Sequence, residues 1–420
     1  MKPRPLFKYL VTALFFLLLM VSPASGFSIL AHEAIIDAEW VSQIRPMLLK
    51  KYPNATTDDI KKAHAYAYGG CLVADMGYMP FGQPYFTDLL HYVRSGDFVT
   101  ALVTESQNLN EYAFALGAVS HYMADKYGHS LATNQSVPLA NPDLKARFGD
   151  VVTYADDHTS HSRMELAYDV IQTAKGHYAT IEYHDFIGFS MAKPVLERAF
   201  LKTYGQDLNV LFPDFDGTVS TFRWGVRDLF PAILHNAWKT KKNEIRKMDV
   251  HARHRDFRFK MPKKMYDKEF GTDYTRPNFK ARAVAFLIRI LPKIGPLKKF
   301  SFKYPGIESE NLFKKSMDSI LVNYAVALQH ADNNRLTLAN IDFDTGKPTS
   351  ADEYRLADKT YNDLLLHLQD NQFSCMDAAL QRDILNFYNK ADATKLAAND
   401  PDGNQKAAEA LQKIKALAIK

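Results

Sequence analysis

The chain has 420 residues, two cysteines and a formal net charge of +5 at pH 7. One hydrophobic interior stops growing beyond roughly 250–300 residues, so two structural units are expected. Two cysteines exclude a disulfide framework, leaving one Cys71–Cys375 bridge or two free thiols, and the charge, +2 without the three cations of the first eight residues (5 − 3), selects no partner.

The chain opens like an export signal. Lys2, Arg4 and Lys8 form a positive front, Tyr9 to Val21 is almost unbroken apolar, and Ser22 to Gly26 is rich in small residues. Ala24 and Gly26 satisfy the small-x-small rule, so residues 1–26 are expected to be removed and Phe27 to become the first residue, with cleavage after Ala24 as the alternative. No later segment reaches the ~20 apolar residues that span a bilayer. A secreted or periplasmic protein is the expectation.

Helical periodicity follows. Ile29, His32, Ile35, Ile36 and Glu39 share one face, and apolar repeats recur over 56–68, 84–95, 110–131, 161–179, 184–205 and 217–246. Residues 76–84 and 132–143 carry the Gly, Pro, Asn and Ser of loops. Strand-like alternation is rare, so the fold class predicted is all-α, an irregular multi-helix bundle over 27–246. Residues 247–305, interrupted by five prolines, read as an irregular basic connection; within 239–303 stand 20 Lys and Arg against 6 Asp and Glu. In 280–303 cations flank an apolar centre, as in helices that lie on membranes; peripheral membrane contact and a plain solvated surface are the two readings. Residues 306–420 read as a helical C-terminal region, with helices over 308–332, 352–370, 373–392 and 404–419 and no recognisable motif.

The chemistry concentrates before residue 166. In FALGAVSHYMADKYGHS, residues 114–130, His121, Asp125 and His129 recur every four positions and stack along one helix face, ~40° apart per step. Two imidazoles and a carboxylate among apolar neighbours are costly to bury without partners, and metal ions supply them. The competing reading is an ion pair one turn apart on a polar face. His161 and Glu165 repeat the spacing, but Ser162-x-x-Glu165 is also a capping box, which would make Glu165 the start of a helix. His32 lies five residues past Phe27, whose free amine and carbonyl could add ligands. Asp75 sits in the Gly-rich GGCLVADMGYMPFG, and His91 opens HYVR just after it; a turn-capping Asp and a surface His are the ordinary alternatives.

Taken in order, H…D…HY…H-x-x-x-D-x-x-x-H…H-x-x-x-E resembles the zinc-dependent phospholipase C family, which includes the N-terminal domain of glycosylphosphatidylinositol-specific phospholipase D. The likeness covers about 27–200 and is densest in GGCLVADMGYMPF, HYVR and FALGAVSHYMADKYGHSLA. It implies an all-α fold holding three zinc ions: one on Asp75, His91, His121 and Asp125, a second on His129, His161 and Glu165, and a third on His32, Asp125 and the terminal amine of Phe27. Two departures stand out. The secreted bacterial enzymes begin with Trp where Phe27 stands, and they separate the matching Asp and final His by more residues than Asp125 and His129, a spacing nearer the phospholipase D-like branch.

Clustered zinc ions lower the pKa of water toward ~7 and neutralise charge on a phosphoryl group. The function expected is thus phosphodiester hydrolysis by a zinc-activated water, for which the resemblance implies phospholipid as substrate and Asp75 as ligand and proton acceptor. Tyr66, Tyr68, Tyr78, Phe81 and Tyr85 form a candidate aromatic wall for a cationic headgroup, with ordinary core packing as the alternative. Nucleic acid is the less favoured partner, since a single-strand nuclease needs stacking pockets and a basic track. A non-catalytic metal-stabilised binding protein is the third reading.

Overall fold

The computed structural model describes residues 29–78, 82–178, 189–257, 301–392, 394, 396 and 400–417. The export signal, Phe27, Phe81 and the apolar centre of 280–303 lie outside these.

Among the described residues the protein is all-α, its one β-type contact being an isolated bridge between Ile341 and Pro348. The first half comprises α1 (Ile29–Glu39), a π turn (Trp40–Ile44), α2 (Arg45–Lys51), α3 (Thr57–Leu72), a 3-10 turn (Val73–Tyr78), α4 (Pro84–Tyr92), α5 (Ser95–Thr104) and α6 (Leu109–Gly128). A second π turn (His129–Thr133) leads to α7 (Asn134–Ala140), α8 (Pro142–Phe148), α9 (His158–Lys175), α10 (Lys193–Tyr204) and α11 (Leu208–Leu211). Then come α12 (Phe215–Trp224), a third π turn (Gly225–Leu229), α13 (Phe230–Met248) and a 3-10 turn (His254–Phe257). The C-terminal region supplies α14 (Ile307–Asp332), α15 (Arg355–Asp370), α16 (Ala378–Asn389) and α17 (Pro401–Ala416).

Local chemistry sets these boundaries. Thr56 and Asp59 form a reciprocal capping box at the start of α3, the Asp59 amide donating to Thr56 Oγ1 (3.2 Å) and the Thr56 amide to Asp59 Oδ2 (2.9 Å). Asn108 Oδ1 caps α6 by accepting from the Glu111 amide (3.0 Å). The stretch 132–143, expected as a loop, instead holds all of α7 and the start of α8. Pro138 stands inside α7, and each of α4, α8 and α10 begins with a proline in its first turn, where no amide is needed.

α3 and α6 form the spine. They approach so closely that a Cβ on Gly70 would stand 1.8 Å from the Phe114 carbonyl oxygen and one on Gly117 2.0 Å from that of Ala67. This contact places Cys71 and Asp75 beside the His121 face. α14 then covers the far side of α6, burying Phe313, Ile320 and Leu328, each worth roughly 1.5–3 kcal/mol, while Tyr324 donates its hydroxyl to the Leu116 carbonyl (3.0 Å). A single connected set of buried apolar residues runs from Ile29 in α1 to Ile414 in α17. Both thiols are free, Cys71 buried and Cys375 exposed.

Candidate metal centre

Eight side chains from α1, the Asp75 turn, α4, α6, the following π turn and α9 meet in the interior. His32, Asp125, His129 and His161 have no exposed surface, and Asp75, His91, His121 and Glu165 are buried almost as fully. They form three adjoining groups: His32, His121 and Asp125; Asp75, His91 and His121; His129, His161 and Glu165. Within each, the ligand atoms lie within 4.8 Å of one another.

Asp125 is the hub. Its Oδ1 is 3.5 Å from His32 Nε2, and its Oδ2 is 3.0 Å from His121 Nε2 and 3.4 Å from His91 Nε2. Asp75 Oδ1 stands 3.6 Å from His91 Nε2. In the third group Glu165 Oε1 lies 3.0 Å from His161 Nε2 and 3.3 Å from His129 Nε2. The His32 and His121 rings stack at 4.5 Å, and the His129 and His161 rings meet edge to face at 4.9 Å.

The histidines are oriented from behind. His91 Nδ1 donates to the Thr87 carbonyl (2.9 Å) and His121 Nδ1 to the Cys71 carbonyl (2.9 Å). With the proton on Nδ1, each Nε2 presents a lone pair to a carboxylate that also presents lone pairs. Thr87 holds the Asp75 turn as well, donating to the Ala74 carbonyl (2.6 Å) and accepting from the Gly77 amide (2.8 Å). At the other end of the centre, the cap of α9 is Asp157, which accepts from the Ser160 amide (2.7 Å). The helix therefore starts well before Ser162, and Glu165 lies inside it rather than capping it. That frees its carboxylate for His129 and His161.

These donors fit divalent ions. His91 Nε2, His121 Nε2, Asp75 Oδ1, both oxygens of Asp125, both nitrogens of His161 and Glu165 Oε1 are buried with no hydrogen bond. Two atoms each bound at 2.0–2.2 Å to a tetrahedral zinc stand ~3.4 Å apart, and the contacts above run from 3.0 to 3.6 Å. Without a cation, only protons can relieve the clash. Burial alone would lower His91, yet the Asp125 and Asp75 carboxylates override it and hold the imidazole up at about 10. His121 is likewise raised against its burial by Asp125, while His121 and His129 hold Asp125 well below the usual carboxylate range despite burial. Burial raises Asp75.

Residues 38–213 match the family model described as zinc dependent phospholipase C. This segment belongs to the zinc-dependent phospholipase C family. Seven of the eight side chains fall inside it, and His32 lies just before it. No curated protein and no solved structure matches the chain.

The aromatic candidates separate. The Tyr78 ring lies 5.8 Å from His91 and 6.3 Å from Tyr154, whose own ring is 5.5 Å from His161, so Tyr78 and Tyr154 flank the centre. Tyr85 points elsewhere, stacking on His367 at 4.3 Å and accepting from Gln206 Nε2 (2.8 Å). Tyr68 donates to Asp37, which also contacts His64, a buried polar group apart from the centre. Tyr66 packs, half-buried, against the core.

Sequence reasoning missed the loop between α14 and α15. Phe343 lays its ring against His91 (5.3 Å), His121 (5.7 Å) and Tyr122 (5.5 Å), and Asp344 lies fully buried with its Oδ1 3.4 Å from His129 Nδ1. The one available signal was the alternation of Ile341 and Phe343 with Asp342 and Asp344, too short to read.

Proposed function

We propose that the protein is an exported zinc-dependent phosphodiesterase that hydrolyses phospholipids in the phospholipase C manner, on the glycerol side of phosphate. The observation that carries this reading is the set of three adjoining groups of buried ligand atoms, most of them without a hydrogen bond, two of the groups meeting at His121. The family match over 38–213 supplies the reaction class.

Zinc ions bound there supply Lewis acidity toward the phosphoryl oxygens and bring the pKa of water down toward ~7. The chain's own residues do the rest. Thr87 and the Cys71 carbonyl fix the rings of His91 and His121, so that the pocket needs little rearrangement as charge develops on phosphorus. The Asp75 carboxylate, held beside His91, accepts the proton that the attacking water loses and returns it to the glycerol oxygen as the phosphorus–oxygen bond breaks. Tyr78 and Tyr154 offer ring faces beside that step. Export rests on the amino-terminal pattern of residues 1–26, and a third ion would draw on the amine exposed at Phe27.

The test pairs metal analysis with substrate choice. Mature protein is expected to carry three zinc ions and to release phosphocholine from phosphatidylcholine micelles, an activity abolished by a chelator and restored by zinc. Cleavage of single-stranded DNA in preference to lipid would move the assignment to a nuclease, and a zinc-loaded protein inert toward both and toward a nitrophenyl phosphodiester would make it a binding protein. Amino-terminal sequencing of the exported form tests processing at Phe27.

A further inference from the structure

The loop between α14 and α15 lies far beyond the matched segment, yet it is built into the centre. Ser95 Oγ donates to the Ile341 carbonyl (2.6 Å) and accepts from its amide (3.1 Å), and Tyr122 donates to the Ala339 carbonyl (2.8 Å). Gly96 permits this approach, since a Cβ there would stand 2.4 Å from the Leu338 and Ala339 carbonyl oxygens. The Phe343 amide then donates to the carbonyl of His91 (3.0 Å), and its carbonyl accepts from His129 Nδ1 (3.2 Å).

Asp344 completes the arrangement. Its Oδ2 accepts from the hydroxyls of Tyr92 (2.8 Å) and Tyr354 (2.5 Å), and its carbonyl accepts from Asn134 Nδ2 (2.6 Å). Its Oδ1 has no hydrogen bond and stands 3.4 Å from His129 Nδ1. The Phe343 carbonyl takes the Nδ1–H, and beside it stands a buried carboxylate with one oxygen fixed by two phenols and the other turned to the same ring nitrogen; together they hold His129 in its Nδ1–H form, with an unprotonated Nε2 on the side of Glu165 and His161.

We propose that Asp344 is the positioning residue of His129, so that the C-terminal region, and not the family segment alone, completes the His129, His161 and Glu165 metal site. The assignment rests on the zinc reading of the centre. Asp344 polarises the imidazole, raising its strength as a ligand, and fixes its angle. Without this loop the His129, His161 and Glu165 site is loosened.

The experiment compares the full chain with its Asp344→Asn variant. The amide keeps an acceptor for Tyr92 and Tyr354 but turns an N–H toward His129 Nδ1. Zinc affinity measured by chelator competition is expected to fall about 10- to 100-fold at one of three sites, with the other two within about twofold. In proton–nitrogen spectra of the imidazoles, the His129 Nδ1–H, still accepted by the Phe343 carbonyl, is expected to shift while those of His91 and His121 stay in place, a change that a general loss of rigidity would not confine to one ring. Unchanged affinity at all three sites overturns the assignment and leaves the phosphodiesterase reading intact, whereas a wild-type protein that binds no zinc removes both. If D344N did not fold, a Tyr92→Phe, Tyr354→Phe double variant, which loosens the carboxylate without removing its charge, is expected to weaken the same site several-fold. Unaltered binding there would equally overturn the proposal.

Discussion

Asp125 offers one oxygen to His32 and the other to His91 and His121, so a single carboxylate serves two of the three groups. Asp125→Asn is therefore expected to cost more than one zinc equivalent, and His161→Ala only one, as read by elemental analysis of the purified protein; equal losses would count against a shared ligand. Uptake of metal must also displace protons. In the metal-free protein Asp125 and Asp75 hold His91 protonated up to about 10, whereas a bound imidazole is neutral at Nε2. Zinc binding at pH 7 is thus expected to release protons and to strengthen as pH rises, which calorimetry in two buffers of different ionisation enthalpy detects as different apparent heats. Identical heats would remove the effect. At this scale the sequence was legible, because the four-residue spacings of 121, 125 and 129 and of 161 and 165 put each set on one face. What spacing left open at Glu165 was the helix start, decided by a better cap at Asp157.

Most helices were visible from periodicity, since their apolar faces repeat over several turns. α7 was not: Pro138 and the Asn and Ser around it carry loop chemistry, and packing of Val137 and Ser136 inside the molecule overrides that preference. α5 passed unread because it starts without a side-chain cap directly after Arg94, whose φ of 48° turns the chain left-handed. In the loop that reaches the metal centre, burial foremost, with the neighbouring Glu353, pushes the Asp342 carboxyl up to about 8 from an ordinary value of 3.8. The folded state then keeps a proton that the unfolded chain releases near 3.8, so stability falls as pH rises between those values and levels off above the higher one. The slope reaches up to about 1.4 kcal/mol per pH unit. Asp342→Asn is expected to flatten it, gaining on the parent between about pH 5 and pH 8 in urea unfolding; a constant difference would show that the carboxyl ionises normally.

Across the whole molecule, the C-terminal helices are not an appendage. α14 buries the outer face of α6 and the loop after it touches three ligand histidines, so the two halves share one interior. Deleting 306–420 is expected to leave a chain with exposed apolar surface and lost cooperativity, seen as a broad thermal transition; a compact fragment melting sharply and holding three zinc ions would refute this. The four helices of 306–420 were legible in the sequence, but their place against the metal centre was not, because a contact made by one short loop leaves no periodic trace. Asp344 and Tyr92 stand 252 positions apart along the chain. A ribosome must therefore deliver most of the polypeptide before His129 acquires its anchor, which makes enclosure of that ligand a late event in biosynthesis and leaves any prematurely terminated product without it.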